Sequence, residues 1–361
     1  MPTKKSAPQP HSKAQPQLQP QPHTKWSAAV LIGVAASLLL ALVVLAFLWP
    51  SKTAEVHNLP VSLAGPQAAS TALEEALGSS GTFDFVTADD RADAVSQIKT
   101  QKTYGAIVFT TANSIEVLTA PAASTVAAQL LGGVASELKQ RIAAAGGDAN
   151  ATQITVTPIV PLSAGDPSGT GLATASFPLA IGGMIGGVLL SLLVVGAIRR
   201  LVAAAGFAVV AGIVLALILQ TWFGYLQGNF WINALAMGLT MLATSTFIIG
   251  CTSLIGRAGI AVGAIVTIFI GNPLSASAVP WQFLVAPWGA IGQFLVPGAS
   301  SALIRSLSYF PDANRAQQWW TLAAWVALGV VLTLVGHYRS RPSMHVPEVT
   351  IEPPLAKTAS A

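Results

Sequence analysis

The sequence predicts an α-helical polytopic membrane protein with six transmembrane helices and an extracellular α/β domain inserted between the first and second of them. The first of three observations is composition: 53% of the 361 residues are hydrophobic and 9% are charged, whereas soluble domains carry about 25% charged residues. Second, eleven of the 14 acidic residues lie between Glu55 and Asp166. Third, several apolar runs approach the roughly 20 residues that cross a bilayer core.

The N-terminal segment is predicted to place the start of the chain in the cytoplasm. Residues 1–25 are dominated by Pro and Gln without an apolar period, which is typical of a disordered tail. Residues 26–49 form the predicted first transmembrane helix, which Trp26 and Trp49 bracket and Pro50 ends. Four lysines precede this helix, and the positive-inside rule therefore predicts a cytoplasmic tail.

Residues 51–170 have the pattern of a folded extracellular α/β domain. Strand-like and helix-like stretches alternate in the order β-α-β-α-β-β-α-β. The stretch "DDRADAVSQIKTQ" (89–101) begins with acidic residues, which the helix dipole favours in a first turn. Six basic and eleven acidic side chains between Lys52 and Asp166 indicate a solvated surface and exclude a nucleic-acid site.

Residues 176–338 form the predicted membrane domain, and residues 339–361 a second cytoplasmic tail. The five further predicted spans are 176–198, 202–224, 230–254, 258–271 and 319–338. If these segments alternate in direction, the basic residues at their ends fall on the same side as the N-terminal lysines. These residues are Arg199, Arg200, Arg257, Arg339 and Arg341. The pattern predicts a multi-pass membrane protein with both termini in the cytoplasm, and the Ala-, Val- and Gly-rich composition favours a bacterial plasma membrane.

Prolines interrupt the apolar stretch between the last two predicted spans. It contains "FLVPGASSALIRSLSYF" (294–310), and no unbroken run in it is long enough to cross a bilayer. Non-helical backbone at membrane depth is tolerated only inside protein or beside a cavity. The sequence favours a re-entrant hairpin over about 281–310, with its bend at Pro297 and Gly298 and with Arg305 near the outer mouth. The alternative is an interfacial amphipathic loop with a snorkelling arginine.

The order of these segments resembles that of the ABC-2 type permeases, and in particular the YhgE/Pip-like and related membrane proteins. Two stretches are similar to patterns of that group: "DDRADAVSQIKTQKTYGAIVFT" (89–110) and "FLVPGASSALIRSLSYF". The resemblance covers roughly residues 26–338. It implies a transmembrane exporter subunit that works as a homodimer or heterodimer with a separate cytoplasmic ATPase.

The residues offer this chain no energy source of its own. A P-loop needs a Gly-Lys pair, and the sequence has none. Proton-driven pumps usually keep an ionisable relay within the membrane, but Asp312 is the one acid between Gly171 and Tyr338 and is predicted to lie outside. Arg199, Arg200 and Arg257 are candidate contacts for an ATPase, although orientation of their helices alone would also explain them.

The glycines of "IGGMIGGVLL" (181–190) permit close helix packing. Gly182, Gly183, Gly186 and Gly187 therefore predict either packing within the chain or a dimer seam. No catalytic set, cofactor motif or metal site is apparent, and the protein is not predicted to be an enzyme.

The uncharged spans favour a hydrophobic or lipidic cargo for an ATP-coupled export permease. The alternative is a non-transporting receptor, or an envelope or secretion scaffold that presents the outer domain. Membrane lipid is an expected partner of either, and nucleic acid is not.

Overall fold

The computed structural model describes residues 25–78, 81–111, 114–144 and 152–339. The predicted tails at 1–25 and 339–361, apart from Lys25 and Arg339, lie outside the described residues, as does Arg341. The chain divides into two compact units, Met1–Leu45 and Ala46–Ala361.

The first predicted span is one helix, α1, at Trp26–Thr53, and none of its residues is buried. The prediction that Pro50 ends this helix is wrong, because the helix continues to Thr53. Proline removes only one backbone donor. The Thr53 hydroxyl donates to the Trp49 carbonyl at 2.8 Å and supports the last turn.

The α/β domain is present, and its elements follow the predicted order. They are β1 Leu59–Ala64, α2 Gln67–Gly78, β2 Phe83–Thr87, α3 Arg91–Lys99, β3 Gly105–Thr111, β4 Ser114–Thr119, α4 Thr125–Ala144 and β5 Gln153–Pro158. The acidic start of α3 acts as expected, because the Asp90 carboxylate accepts from the Asp93 backbone N–H at 2.8 Å.

The five strands form one mixed sheet in the order β2-β1-β3-β4-β5. All neighbours are parallel except β3 and β4, which are antiparallel. Because successive side chains point to opposite faces, Val61 and Ile107 pack with Leu131 of α4, whereas Ala106 packs on the other face with Ile98 of α3. The domain is therefore a sheet with helices on both faces.

The remaining helices form the membrane block, defined here as residues 170–339. They are α5 Thr170–Leu193, α6 Ala197–Ala216, α7 Phe230–Ile255, α8 Ala258–Ala264, α9 Trp288–Gly292, α10 Val296–Tyr309 and α11 Ala316–Arg339. A π-helical segment, Leu217–Trp222, prolongs α6, and another, Ile265–Ile270, prolongs α8. With α1, five helices of the described chain are long and apolar enough to cross a membrane. The protein is thus a multi-pass membrane protein with a small α/β domain.

The predicted fifth span at 258–271 differs from the other five. In the structure it is a shorter apolar helix, Ala258–Ile270. At 1.5 Å per residue it is about 20 Å long, whereas a bilayer core is about 30 Å thick. The described chain therefore does not provide six helices of spanning length.

The prediction of a bend at Pro297 and Gly298 is wrong. Both residues lie in the first turn of α10, and Leu295 is its N-cap. Proline is well tolerated in the first turn, where its missing N–H would have had no intrahelical partner. The chain before α10 is irregular and contains two short 3₁₀ turns and the short helix α9.

This irregular segment and the turn after α10 pack into the α/β domain. Phe283 belongs to the apolar cluster that includes Val61 and Leu131. Phe310 and Ala313 belong to the cluster on the opposite face of the sheet. The segment between α8 and α11 is therefore part of the core of the domain as well as of the membrane block.

Candidate functional site

A cavity of about 420 Å³ lies where the α/β domain meets the segment between α8 and α11. We call it the Arg305 cavity. The loop after α3 contributes Gln101 and Tyr104, the irregular segment contributes Trp281 and Gln293, and α10 contributes Arg305. Its volume falls within the range of about 300–1,000 Å³ that is usual for ligand sites.

Arg305 is the only charged residue of the described chain that lines this cavity. Its two terminal nitrogens donate to backbone carbonyls, Nη1 to Ala123 at 2.5 Å and Nη2 to Ser277 at 2.5 Å. One acceptor belongs to the α/β domain and the other to the irregular segment. Burial lowers the pKa of Arg305, but a guanidinium keeps its charge in proteins.

No carboxylate of the described residues lies within 4.0 Å of the Arg305 guanidinium. Asp166 lines a smaller adjoining cavity of about 20 Å³ together with Arg305. Its carboxylate instead accepts from the Gly171 backbone N–H at 2.8 Å and from the Ser168 hydroxyl at 3.4 Å. Asp166 therefore stabilises the start of α5.

Tyr104 does not neutralise Arg305 either. Its hydroxyl donates to Gln282 Oε1 at 3.3 Å. Burial raises the pKa of Tyr104 to about 12, so that the phenol stays uncharged at neutral pH. The cavity consequently presents one positive charge among neutral groups.

Amide side chains from the start of α11 complete the wall. Asn314, Gln317 and Gln318 all line the cavity, and the Gln318 Oε1 atom is buried without a hydrogen-bond partner in the described part of the chain. The turn that carries them is fixed by Arg315, whose Nε donates to the Ser306 hydroxyl at 3.2 Å and whose Nη2 donates to the Phe310 carbonyl. The cavity thus offers a cationic donor together with the exposed amides of Asn314 and Gln317.

The predicted ATPase contacts lie at the other end of the membrane block. The close backbone approaches of α7 fix the helix directions: Gly183 faces Thr244, Gly187 faces Ile248, Gly329 faces Thr246 and Gly336 faces Ser253. Along α5 and along α11, the residue number rises together with that of the contacted residue on α7. Both helices therefore run parallel to α7. Their last residues, Leu193 and Arg339, therefore lie at the same end of the block as Ile255.

Helix α6 runs in the opposite direction, because Gly212 faces Ala234 whereas Ala208 faces Gly238. Arg199 and Arg200, in its first turn, consequently join Arg257 and Arg339 at one end, which we call the arginine end. Arg199 and Arg257 are exposed there. Arg200 is half-buried, and its Nε donates to the Val194 carbonyl at 2.7 Å.

The four glycines of α5 do not share one environment. A Cβ on Gly186 would meet the ring of Phe207, and one on Gly183 would meet Thr244 at 2.8 Å. A Cβ on Gly187 would reach Ile248 and the backbone of Ser245 at 3.0 Å. These three glycines therefore pack against α6 and α7 within the chain, and the dimer-seam alternative stays a prediction. Gly182 has only Met241 nearby, at 3.6 Å.

The sequence indicated Arg305 but not the residues that surround it in the cavity. The Ala123 carbonyl lies 182 positions before Arg305 in the chain, and Tyr104 lies earlier still. No local spacing links them. The one available signal was the number of amides in "DANRAQQ" (312–318), a polar stretch just before the last span.

Comparisons with protein-family models, with curated proteins and with solved structures gave no match. The likeness to ABC-2 type permeases therefore stays a prediction from the sequence.

Proposed function

We propose that this chain is the permease subunit of an ABC-type exporter in a bacterial plasma membrane, driven by a separate cytoplasmic ATPase. The observation that supports this proposal is the placement of α7. It is largely buried among α5, α6 and α11, and it runs from the end that carries the α/β domain to the arginine end. A partner that displaces α7 at the arginine end would therefore displace groups near the domain.

The contacts of α7 suit such a displacement. Gly329 of α11 lies against the backbone of Thr246 and Phe247, and Gly187 of α5 lies against the backbone of Ser245. Helices that meet through glycine have few interlocking side chains between them, and small sliding of packed helices is a known form of domain movement. In this proposal α7 transmits the work of the ATPase.

The proposed partners follow from the exposed surfaces. The ATPase binds at Arg199 and Arg257, which are exposed at the turns of the arginine end. A second permease subunit, identical or related, packs against apolar surface outside the occupied glycine faces of α5, and membrane lipid covers the rest. The uncharged side chains of the spans favour a hydrophobic or lipidic cargo.

A receptor, or an envelope or secretion scaffold, is the second candidate. It is favoured by the shared core of the α/β domain and the segment after α8, since Phe283 and Phe310 pack on opposite faces of the sheet. An anchorage of this kind suits a domain that is held in one orientation for recognition. This candidate needs no ATPase.

Purification from native membranes in mild detergent separates the two functions. We expect an ATPase subunit to co-purify in a fixed ratio and its ATP turnover to rise in the presence of this chain. The double variant Arg199→Glu, Arg257→Glu should abolish both results, because it places negative charge at the proposed contact.

Lys139→Glu is the matched control, since Lys139 is exposed on α4 of the α/β domain, and it should leave both results unchanged. Equal ATP turnover in the double variant, or movement of solute by the purified chain alone under an ion gradient, would contradict the proposal.

A further inference from the structure

We propose that the Arg305 cavity is a binding site for a phosphate ester that carries neighbouring hydroxyl groups. This chemistry occurs in the headgroup of a glycerol-type phospholipid and in soluble polyol phosphates. The inference is independent of the export function, because an exporter and a receptor would both retain the site.

Arg305 supplies the positive charge of the cavity. A guanidinium has five N–H donors, and the described protein supplies only two acceptors, the carbonyls of Ala123 and Ser277. Arg305 is half-buried on the cavity wall, and a charge partly withdrawn from water is normally paired with an opposite charge. Since no carboxylate of the described chain pairs with Arg305, the remaining donors suit an anion from outside.

The type of anion follows from the geometry of arginine. Its planar fork of N–H groups matches the oxygens of phosphate and carboxylate, and it pairs with both through charge-assisted hydrogen bonds. The Ala123 and Ser277 carbonyls hold the guanidinium from two separate segments. Arg305 is thus oriented before any ligand binds, which reduces the entropy that binding costs.

The hydroxyl groups follow from the amides. Asn314 and Gln317 line the cavity, and both side chains are exposed. Each amide presents an oxygen that accepts and an NH₂ group that donates. An oxyanion alone cannot pair with the amide oxygens, because it has no proton to donate, whereas a hydroxyl group can pair with either atom of the amide.

The position of the cavity brings lipid headgroups within reach. Gln317 and Gln318 directly precede Trp319 and Trp320 in the first turn of α11. Tryptophan is enriched at the level of the headgroups in membrane proteins. Trp281 and Phe294, which also line the cavity, keep large exposed surfaces. A lipid phosphate and a soluble phosphate ester can therefore both be tested at this site.

The test uses the full chain in lipid nanodiscs with two probes. Binding of sn-glycerol 3-phosphate is measured by calorimetry in phosphatidylcholine discs, with glycerol as the uncharged control. Retention of phosphatidylglycerol over phosphatidylcholine is measured by native mass spectrometry from discs that contain equal amounts of both. We expect wild type to bind at least one probe, and phosphatidylglycerol to be retained at least fivefold over phosphatidylcholine if the ligand is a lipid.

Three variants decide the assignment. Arg305→Gln should weaken binding at least tenfold, and Gln317→Leu about threefold to tenfold. Lys102→Gln should leave binding unchanged, because Lys102 is exposed beside Gln101 without lining the cavity. If Arg305→Gln does not fold, as judged by gel filtration, Gln317→Leu decides, since Gln317 is exposed and lines the cavity.

Retention of phosphatidylglycerol identifies a lipid source, and binding of glycerol 3-phosphate alone identifies a soluble source. Both results support the site. Absence of binding of either probe to wild type overturns the proposal. Unchanged binding in Gln317→Leu, or an equal loss in Lys102→Gln and Arg305→Gln, overturns it as well.

Discussion

The α/β domain and the membrane block are held together by opposite means. In the domain, large side chains such as Leu59 and Leu131 are fully buried. In the membrane block, the closest contacts occur where a side chain is missing, as at Gly329, while Leu235 of the central helix is 62% exposed. Water drives large apolar groups inward, whereas lipid is as apolar as leucine, so that close backbone packing contributes more there.

Buried hydroxyl groups show the same contrast. In the domain, the Ser62 hydroxyl of β1 donates to Gln97 Oε1 of α3 at 2.9 Å and links two elements. In the membrane block, the hydroxyls of Thr246 and Thr333 donate to carbonyls of their own helices, both at 2.7 Å. Such bonds satisfy the hydroxyl group but do not join one helix to another.

The largest effect is expected from truncating the core of the domain. Leu131→Ala should lower its free energy of unfolding by about 2–5 kcal/mol, because it removes buried methyl groups and leaves a cavity. Leu235→Ala, in the membrane block, should cost about 0.5 kcal/mol or less, as is usual for exposed positions. Amide hydrogen exchange of β3 and β4, followed by mass spectrometry, reports on the domain separately.

Equal losses of unfolding free energy from the two leucine substitutions would contradict the contrast between the domain and the membrane block. They would mean that large side chains contribute equally to both regions, and that lipid-facing leucine in α7 is covered by protein.

The next-largest effect concerns glycine-to-alanine substitutions, which should change the free energy of unfolding in opposite directions in the two regions. Gly329→Ala should destabilise the membrane block by about 1–3 kcal/mol, typical of overpacking, since its Cβ would lie 2.4 Å from the backbone of Thr246. Gly133→Ala, in α4, should stabilise the domain by about 0.5–1 kcal/mol, because nothing lies within 4 Å of its Cβ. Unfolding in mixed detergent, followed by tryptophan fluorescence for the block and hydrogen exchange for the domain, measures both.

A stabilising Gly329→Ala would show that α7 and α11 can separate without loss. The sliding contact that the proposed export function uses would then have no physical basis.

The local patterns of the domain were sufficient to predict its elements. Strand β1 lies between Asn58 and Gly65, and the acidic start of α3 marks a helix that does begin there, with Asp90 as its N-cap. Of the six spans that the long apolar runs predicted, five are helices of spanning length. In these regions local propensity and burial favour the same structure, which is why the sequence alone was informative.

The segment before α11 could not be predicted in the same way. Pro297 was expected at a bend and lies in the first turn of α10, because proline suits both positions. Its true surroundings depend on distant residues: Phe310 is buried by the sheet of the α/β domain, and Arg305 is held by the Ala123 carbonyl. Only the folded chain brings these groups together, so that the cavity was invisible in the sequence.

The smallest expected effect concerns charge, which also separates the two regions. Two ion pairs join side chains of the domain, Arg91 with Glu116 at 2.6 Å and Arg141 with Glu137 at 2.7 Å. The hydrogen bond from Arg91 holds the pKa of Glu116 below its ordinary value of 4.5. The pair therefore stabilises the fold above this value, and the contribution is lost as the pH falls through the lowered pKa.

Arg91→Gln tests this assignment. Since Arg91 is about half exposed, the substitution should cost only about 0.2–1 kcal/mol at neutral pH, as is usual for surface pairs. The cost should disappear once the pH has fallen below the lowered pKa of Glu116, because Glu116 is then protonated in both the folded and the unfolded chain. Hydrogen exchange of β4, measured at neutral pH and through an acid titration, reports the difference. A cost that persists in acid would mean that Arg91 stabilises the domain through packing of its stem, and that charge does not distinguish the domain from the membrane block.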